Sequence, residues 1–391
     1  MTTSSTLRAL KGADIFDGET MRKDAAVLID ADKVKAIVSS ADIPAAAAVT
    51  NLDGGVIVPG YVDLQVNGGG GVMLNAAPTV KTLQTMADAH AGIGATTILP
   101  TLVTDTPDIT GEAIRAVEDA LASGIAGIGG IHLEGPHLAV SRKGAHDPDL
   151  IRPMNDRDLE MLVAAAERLP VLKVTVAPES VSREQIRALS KAGILVSLGH
   201  TDSSYAVCQE SMEAGARCVT HLFNAQSQLG SRETGVVGAA VRLGGLSAGL
   251  IADGIHVHPA AMAIAMNGKA GPGRIFLVTD AMATAGTDLQ GFTLNGREIR
   301  RDGNRLTLAD GTLAGAHLDL TTAIRNVVRL CGTPLETALA MATSIPAALI
   351  GEDNQIGRLR PGVRADLVHL SADLELLSVF RGGEALEMAK D

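Results

Sequence analysis

Two histidines stand where chemistry is easiest to build. The apolar run Gly193–Gly199 stops at His200, and a second short run, Cys218–Thr220, stops at His221. Between them Asp202 and Ser203 supply N-cap chemistry for a helical pattern reaching about Ala214, which Gly215 closes. The stretch therefore reads as strand, helix, strand. Imidazoles at the carboxyl ends of neighbouring parallel strands face one crevice, and metal ligands gather there in α/β folds. Each histidine also has a plainer reading, as a polar strand-end residue bonded to backbone, and the pair alone leaves both open.

Other strand ends add to the pair. Glu134 closes a run within HLEGPH, Asp280 lies in VTDAM, and Asp253 and His256 lie in IADGIHV. Gln65 and Asn67 precede four consecutive glycines, Gly68–Gly71. One carboxylate with two imidazoles is an open zinc-type ligand set that leaves a position for water. Asp280 would be the free carboxylate beside it, available to move a proton. Each residue has a dull explanation singly; their shared position at strand ends is the signal.

A barrel is the frame that would bring these ends together. Candidate strands are Val56–Val66, Ala95–Val103, Gly127–Glu134, Leu172–Glu179, Gly193–His200, Cys218–Asn224, Ser247–Val257 and Arg274–Met282. Helical patterns alternate with them, at Thr79–Ala91, Thr110–Ser123, Asp156–Arg168, Ser182–Ala192 and Pro259–Gly268. This alternation predicts an α/β fold, a (β/α)₈ TIM-like barrel rather than an open sheet. The Asn-Gly and Asp-Gly turns of residues 286–315 predict a hairpin insertion after the eighth strand, followed by helices near Asp319–Leu330 and Pro334–Leu349. Period-two patterns at both ends predict a small β-sandwich domain built from residues 1–58 and 356–391, leaving 59–355 to the barrel.

Composition narrows the function. A chain of 391 residues suits a large barrel with an attachment, and its net charge of −11 argues against a nucleic-acid partner, which needs a basic footprint. With no Trp and two Tyr, stacking platforms for single strands are absent as well. No apolar run is long enough for a bilayer, and MTTSSTLRALKGAD lacks the charged-then-apolar pattern of a secretory signal. Cys208, Cys218 and Cys331 are odd in number without CxxC spacing, which reads as reduced thiols and a cytoplasmic protein.

The segments PGYVDLQVNGGGG, HLEGPHL, KGAHDP, LGHTDSSY, THLFNAQSQLGSRETGVVGAA, IADGIHV, VTDAMATAG and LAGAHLDL span the barrel in order. On these segments the chain resembles the amidohydrolase superfamily, and within it the family of N-acetylglucosamine-6-phosphate deacetylases. The resemblance implies metal-dependent hydrolysis of the acetamide of N-acetyl-D-glucosamine 6-phosphate, or of another N-acyl amino sugar phosphate such as the galactosamine epimer. It implies one divalent ion per subunit on Glu134, His200 and His221, zinc ahead of iron, cobalt or manganese. Asp280 becomes the acid and base, and His146 a donor to the acetyl carbonyl or nearby hydroxyls. The substrate contacts are Ala145, His146, Asn224, Ala225, Arg232, His256, Leu313, Ala314 and Gly315, with Arg232 reaching the neighbouring site of a homodimer.

Gln65 and Asn67 stand where most amidohydrolases carry a His-x-His pair, and amides are poor ligands for a zinc-like ion, so the second-metal position reads as vestigial. Two departures concern the substrate: Gln226 stands where a Met is expected and Thr234 where a Pro is. Gln226 would either alter substrate orientation or face solvent. His132 stands where a supporting neighbour of the ligands would; His90, His317 and His369 read as structural or exposed, His258 as a loop residue, and Met73, Met86, Met262 and Met266 as core. Two readings from further afield compete. A non-catalytic barrel would have lost a ligand or Asp280, and a cyclic-amide or nucleobase amidohydrolase would keep His-x-His.

Overall fold

The computed structural model describes residues 7–387. The stretch read above as lacking a secretory signal begins with six residues outside that range, and the last four residues of the C-terminal segment also lie outside it.

Eight parallel strands follow one another around a single sheet: β1 (Tyr61–Val66), β2 (Ala95–Val103), β3 (Ile131–Glu134), β4 (Leu172–Val176), β5 (Leu195–Leu198), β6 (Cys218–Val219), β7 (Ser247–Leu250) and β8 (Ile275–Leu277). Side chains on both faces are buried, as expected of strands walled by helices. The ring closes just past β8, where the Asp280 amide donates to the Gln65 carbonyl (3.0 Å) and Val66 bridges Ala281 in parallel. Equal register carries functional positions to one level: Glu134 at the end of β3 pairs with Thr175 of β4, and Val176 with Leu198 of β5.

The outer helices are α1 (Val80–Gly92), α2 (Pro107–Ala122), α3 (Asp156–Ala166), α4 (Arg183–Lys191), α5 (Tyr205–Ala214), α6 (Gly235–Arg242), α7 (Pro259–Gly268) and α8 (Leu320–Cys331). Their starts follow from side chains that satisfy the first free amides. Thr79 caps α1, and Asn155 with Asp158 and Ser182 with Gln185 form reciprocal capping boxes on α3 and α4. The (β/α)₈ expectation holds. No helix among the described residues is long and apolar enough to cross a membrane.

Strands from both chain ends pair with one another. One four-stranded sheet runs Lys33–Ser39, Ala25–Asp30, Arg8–Lys11, Ala48–Asn51. A six-stranded sheet runs Glu384–Ala385, Leu376–Arg381, Leu367–Leu370, Val56–Pro59, Asp14–Phe16, Met21–Arg22. Leu10, Ile15, Val27, Ile29, Ile57, Leu367 and Phe380 from the two sheets share one apolar cluster, so both segments bury surface that neither could bury alone.

Several elements differ from expectation. The run Val56–Val66 divides at Gly60: its first part joins the six-stranded sheet and its second is β1. A side chain at Gly60 would strike Thr96 (2.0 Å to Oγ1), so the break needs a residue without Cβ. The cap of α5 is Ser204, not Asp202 or Ser203; the Asp202 carboxylate is drawn away by Ser141 Oγ (2.6 Å) and Arg142 Nε (2.5 Å). The helix expected at Pro334–Leu349 breaks at Thr343 into α9 (Leu335–Ala342) and α10 (Ser344–Leu349). The insertion after β8 is a four-stranded antiparallel sheet, Gly291–Leu294, Arg297–Asp302, Arg305–Thr307 and Leu313–Ala316, rather than one hairpin. Its apolar face, with Leu294, Ile299, Leu306 and Ala314, packs on Met73, Val103 and Met282 at the barrel rim.

Candidate active site

Glu134 ends β3, while His200 and His221 each lie two residues beyond the ends of β5 and β6. Both histidines are buried and hold left-handed backbone, with φ of 49° and 26°. For a residue with a Cβ this costs about 1–3 kcal/mol and persists only where the surroundings dictate it. The turn at each strand end aims the ring back over the barrel mouth. There His200 Nε2 lies 3.1 Å from His221 Nε2 and 3.2 Å from Glu134 Oε1, and His221 Nε2 lies 3.0 Å from the same oxygen.

That triangle fits a divalent cation. A zinc-type ion with bonds of about 2.0–2.1 Å in tetrahedral geometry spaces its ligand atoms about 3.3 Å apart. His200 Nδ1 donates to the Arg142 carbonyl (2.7 Å), which leaves a bare lone pair on its Nε2. The three residues are the metal-capable cluster among the described residues. Burial alone would raise the Glu134 carboxyl, but the His200 and His221 rings set against it hold it well below the usual range, so it is anionic.

Asp280 sits across from Glu134, also at φ 53°. Burial, and then the charge on Glu134, push its carboxyl up. Gln65 and Asn67 occupy the gap. Gln65 Nε2 donates to both oxygens of Glu134 (3.3 and 3.2 Å) and to Asp280 Oδ1 (3.1 Å), and Asn67 Nδ2 donates to the same Asp280 oxygen (2.7 Å). The amides thus supply hydrogens between two carboxylates, where imidazoles would have supplied lone pairs to a cation. Turning them round would set carbonyl oxygens against carboxylates, so the orientation is chemically fixed.

His146, from the loop after β3, stacks edge-on to His200 with ring centroids 4.4 Å apart. Its Nδ1 receives the Thr104 amide (3.3 Å) and lies 2.7 Å from the Thr104 hydroxyl, which places the ring proton on Nε2. Burial, then His200, push its pKa down to about 3, so the ring is a neutral donor. His256 is oriented by Asp253, whose Oδ2 accepts from Nδ1 at 2.6 Å.

These groups line one cavity of about 380 Å³, and Asn224, Ala225, Ala145, Leu313 and Gly315 line it too. Ala314 does not; it is buried on the apolar face of the insertion sheet. Gln65 lies under Glu134 rather than in the lining. Arg232 is exposed on the 227–234 loop and does not line the cavity of its own chain. Gln226 neither faces solvent nor reaches the cavity: it is fully buried, and its Nε2 donates to the Thr220 carbonyl at 2.5 Å. Thr234 begins α6 without a side-chain cap bond. His90, His317 and His369 bond to Gly68, Thr284 and Gly54, and His258 caps α7 rather than sitting free in a loop.

Sequence reasoning missed several lining residues, among them Ser141, Arg142, Ile251 and Thr312, and it missed Arg297, whose Nη2 donates to the Ala145 carbonyl at 2.5 Å. Ser141 and Arg142 adjoin KGAHDP, and widening that motif would have found them.

Residues 56–386 match the amidohydrolase family. An N-acetylgalactosamine-6-phosphate deacetylase of Shewanella sp. is 41% identical over 87% of this chain and 85% of its own length. An N-acetylglucosamine-6-phosphate deacetylase of Haemophilus influenzae is 31% identical over 96% of this chain and 98% of its own. The crystal structure of N-acetylglucosamine-6-phosphate deacetylase from Pasteurella multocida superposes with a TM-score of 0.93 at 32% identity, covering 97% of this chain and 99% of that one. With its barrel, its rim carboxylates and imidazoles and these relatives, the chain belongs to the amidohydrolase family.

Proposed function

We propose that the enzyme hydrolyses the acetamide of N-acetyl-D-glucosamine 6-phosphate to D-glucosamine 6-phosphate and acetate in the cytoplasm. One observation carries the reading: Glu134, His200 and His221 meet at 3.0–3.2 Å beside an aspartate that is not part of their triangle. The deacetylase relatives supply the substrate class, and the cavity of about 380 Å³ suits a sugar phosphate.

Glu134, His200 and His221 would hold one divalent ion, zinc ahead of iron, cobalt or manganese. Bound there, it would polarise the acetyl carbonyl and bring a water towards neutral pKa. Asp280 accepts the proton of the attacking water as the new carbon–oxygen bond forms. It returns that proton to the amide nitrogen as the carbon–nitrogen bond breaks. His146 Nε2–H donates to the oxygen on which charge develops, and being neutral and buried it needs no reorganisation to do so. Gln65, donating to both carboxylates, and Asn67, donating to Asp280 alone, hold Asp280 beside Glu134. At the far end Asn224, the Ala225 amide and His256 hold the phosphate, and Arg232 reaches it from the other subunit of a homodimer; its exposure outside its own cavity supports that assignment. Binding energy gained there is expressed in orientation at the amide. Leu313 and Gly315 form the sugar edge, with Ala314 buried behind them.

A second reading has an observation in its favour. The 41% identical relative is named for the galactosamine epimer, which differs only in the orientation of one hydroxyl. Acetate release from both N-acetylhexosamine 6-phosphates, with the chain stripped of metal and then titrated, tests both. Expected are no activity when stripped, restoration by about one equivalent per chain, and higher kcat/KM for the glucosamine substrate. A tenfold preference for the galactosamine epimer would establish the second reading, and no acetate from either would overturn both.

A further inference from the structure

Directly beneath the three ligands the barrel interior is not apolar. Thr101 of β2, His132 of β3, Thr175 of β4, Ser197 of β5 and Thr220 after β6 are all fully buried, and their side chains join hand to hand. Thr101 Oγ1 lies 3.2 Å from His132 Nδ1, and His132 Nε2 lies 2.7 Å from Thr175 Oγ1. Thr175 Oγ1 lies 2.7 Å from Thr220 Oγ1, which lies 2.6 Å from Ser197 Oγ.

The direction of this chain follows from its end. Thr101 Oγ1 accepts from the Val66 amide (2.9 Å) and gives its single hydrogen to the Leu99 carbonyl (3.1 Å). It has only acceptance left to offer, so His132 must carry its proton on Nδ1. The bare Nε2 then accepts from Thr175, Thr175 from Thr220, and Thr220 from Ser197. Ser197, Thr220 and Thr175 each donate once along it, and none can turn without orphaning a buried neighbour.

The row needs close approach, and Gly199 provides it. A Cβ at Gly199 would stand 2.8 Å from Thr175 Cγ2 and 3.0 Å from Thr220 Cβ. This residue immediately precedes His200. His132 points to the same face as Glu134, two residues on in β3, and Thr220 immediately precedes His221. All three ligand-bearing strand ends therefore rest on the row.

We propose that His132, with Thr175 and Thr220, is a positioning residue: a one-way hydrogen-bond row across β2–β6 fixes the spacing of Glu134, His200 and His221. The inference rests on the metal reading given under Proposed function. Supporting partners of metal ligands are typically worth about 10–100-fold in metal affinity.

Thr175→Val removes the central hydroxyl at nearly constant volume, and Thr175→Ser restores it. The Val variant should release a single bound zinc to a chelator about 10–100-fold faster than wild type, with kcat reduced and KM for N-acetylglucosamine 6-phosphate nearly unchanged. The Ser variant should lie within about threefold of wild type on both measures. A Val variant that loses thermal stability but holds zinc as wild type does would overturn the proposal. Imidazole ¹⁵N shifts of the wild-type protein supply a second measurement that needs no variant to fold. A neutral His132 with its proton on Nδ1 is expected, and a proton on Nε2 would overturn the row's direction with the metal reading untouched. A wild-type chain that binds no divalent ion yet shows the Nδ1–H tautomer would overturn the metal reading, and with it the ligand-holding role.

Discussion

The carboxyl-end rim of the barrel and the two terminal sheets are built to opposite rules. In the terminal sheets Asp24 and Ala31 take left-handed backbone in exposed turns, where the strain is local, and Leu374 takes it in a turn whose buried side chain only adds to the apolar core. At the rim His200, His221 and Asp280 adopt the same region while buried, and half-buried Phe223 and Ala225 adopt it in the turn after β6. Gln65 Oε1, Asn67 Oδ1 and His221 Nδ1 are also buried there without protein partners. The terminal cluster of Ile15, Ile29, Ile57 and Leu367 is plain apolar burial. The contrast teaches where each region's free energy goes. The sheets stabilise the chain, and the rim holds chemical groups in positions that they would not choose.

If that division is right, the same size of energetic damage should appear as lost turnover at one region and lost stability at the other. Asp280→Asn should cost the most. Losing the proton carrier removes about 10³–10⁴-fold in kcat, or ~4–5.5 kcal/mol, while metal content and Tm stay as in wild type. Steady-state kinetics beside metal analysis checks this, and turnover within tenfold of wild type would remove Asp280 from its role. Ile29→Ala, in the terminal cluster, should cost about 2–5 kcal/mol of unfolding free energy through a cavity, read by denaturant melts. Its kcat per folded chain should not move; a large fall would mean that the sheets set the rim geometry and the division is false.

Gln65→Leu comes next. It removes the hydrogens shared between Glu134 and Asp280 at similar volume, so the two carboxylates face each other unscreened. About 10–100-fold should be lost from kcat, ~1.4–2.7 kcal/mol, with little change in KM. Unaltered kcat would show that the amide pair is a relic without a task.

These contrasts also mark what was legible beforehand. His200, His221, Glu134 and Asp280 could be read because each ends an apolar run, and a barrel sends every such end to one rim. Helix starts at Thr79 and Ser182 could be read because their caps are local chemistry. The start of α5 could not, since Asp202 is claimed by Ser141 and Arg142 from a loop sixty residues earlier. The hydroxyl row was hidden for a different reason. Thr and Ser inside strands are ordinary β formers, and only the closed ring shows that four of them and one imidazole lie at a single level. The insertion was underread because its Asn-Gly and Asp-Gly turns mark hairpins without saying how many strands pair.

Gln226→Met is the smallest effect and the finest probe of the comparison, because it asks whether a rim position outside the cavity behaves like the rim or like the core. Gln226 is fully buried, its Nε2 holds the Thr220 carbonyl, and its Oε1 has no partner. Met exchanges one hydrogen bond worth about 0.5–1.5 kcal/mol for relief from burying an unpaired oxygen, so the two changes nearly offset. Stability should shift by less than about 1 kcal/mol, kcat by less than about fivefold, and the ratio of kcat/KM for the two epimeric substrates hardly at all. Measuring that ratio is the decisive part. A change in epimer preference would mean that the turn after His221 transmits its packing to the sugar, and that Gln226 belongs to specificity rather than to the support of the Thr220–His221 turn.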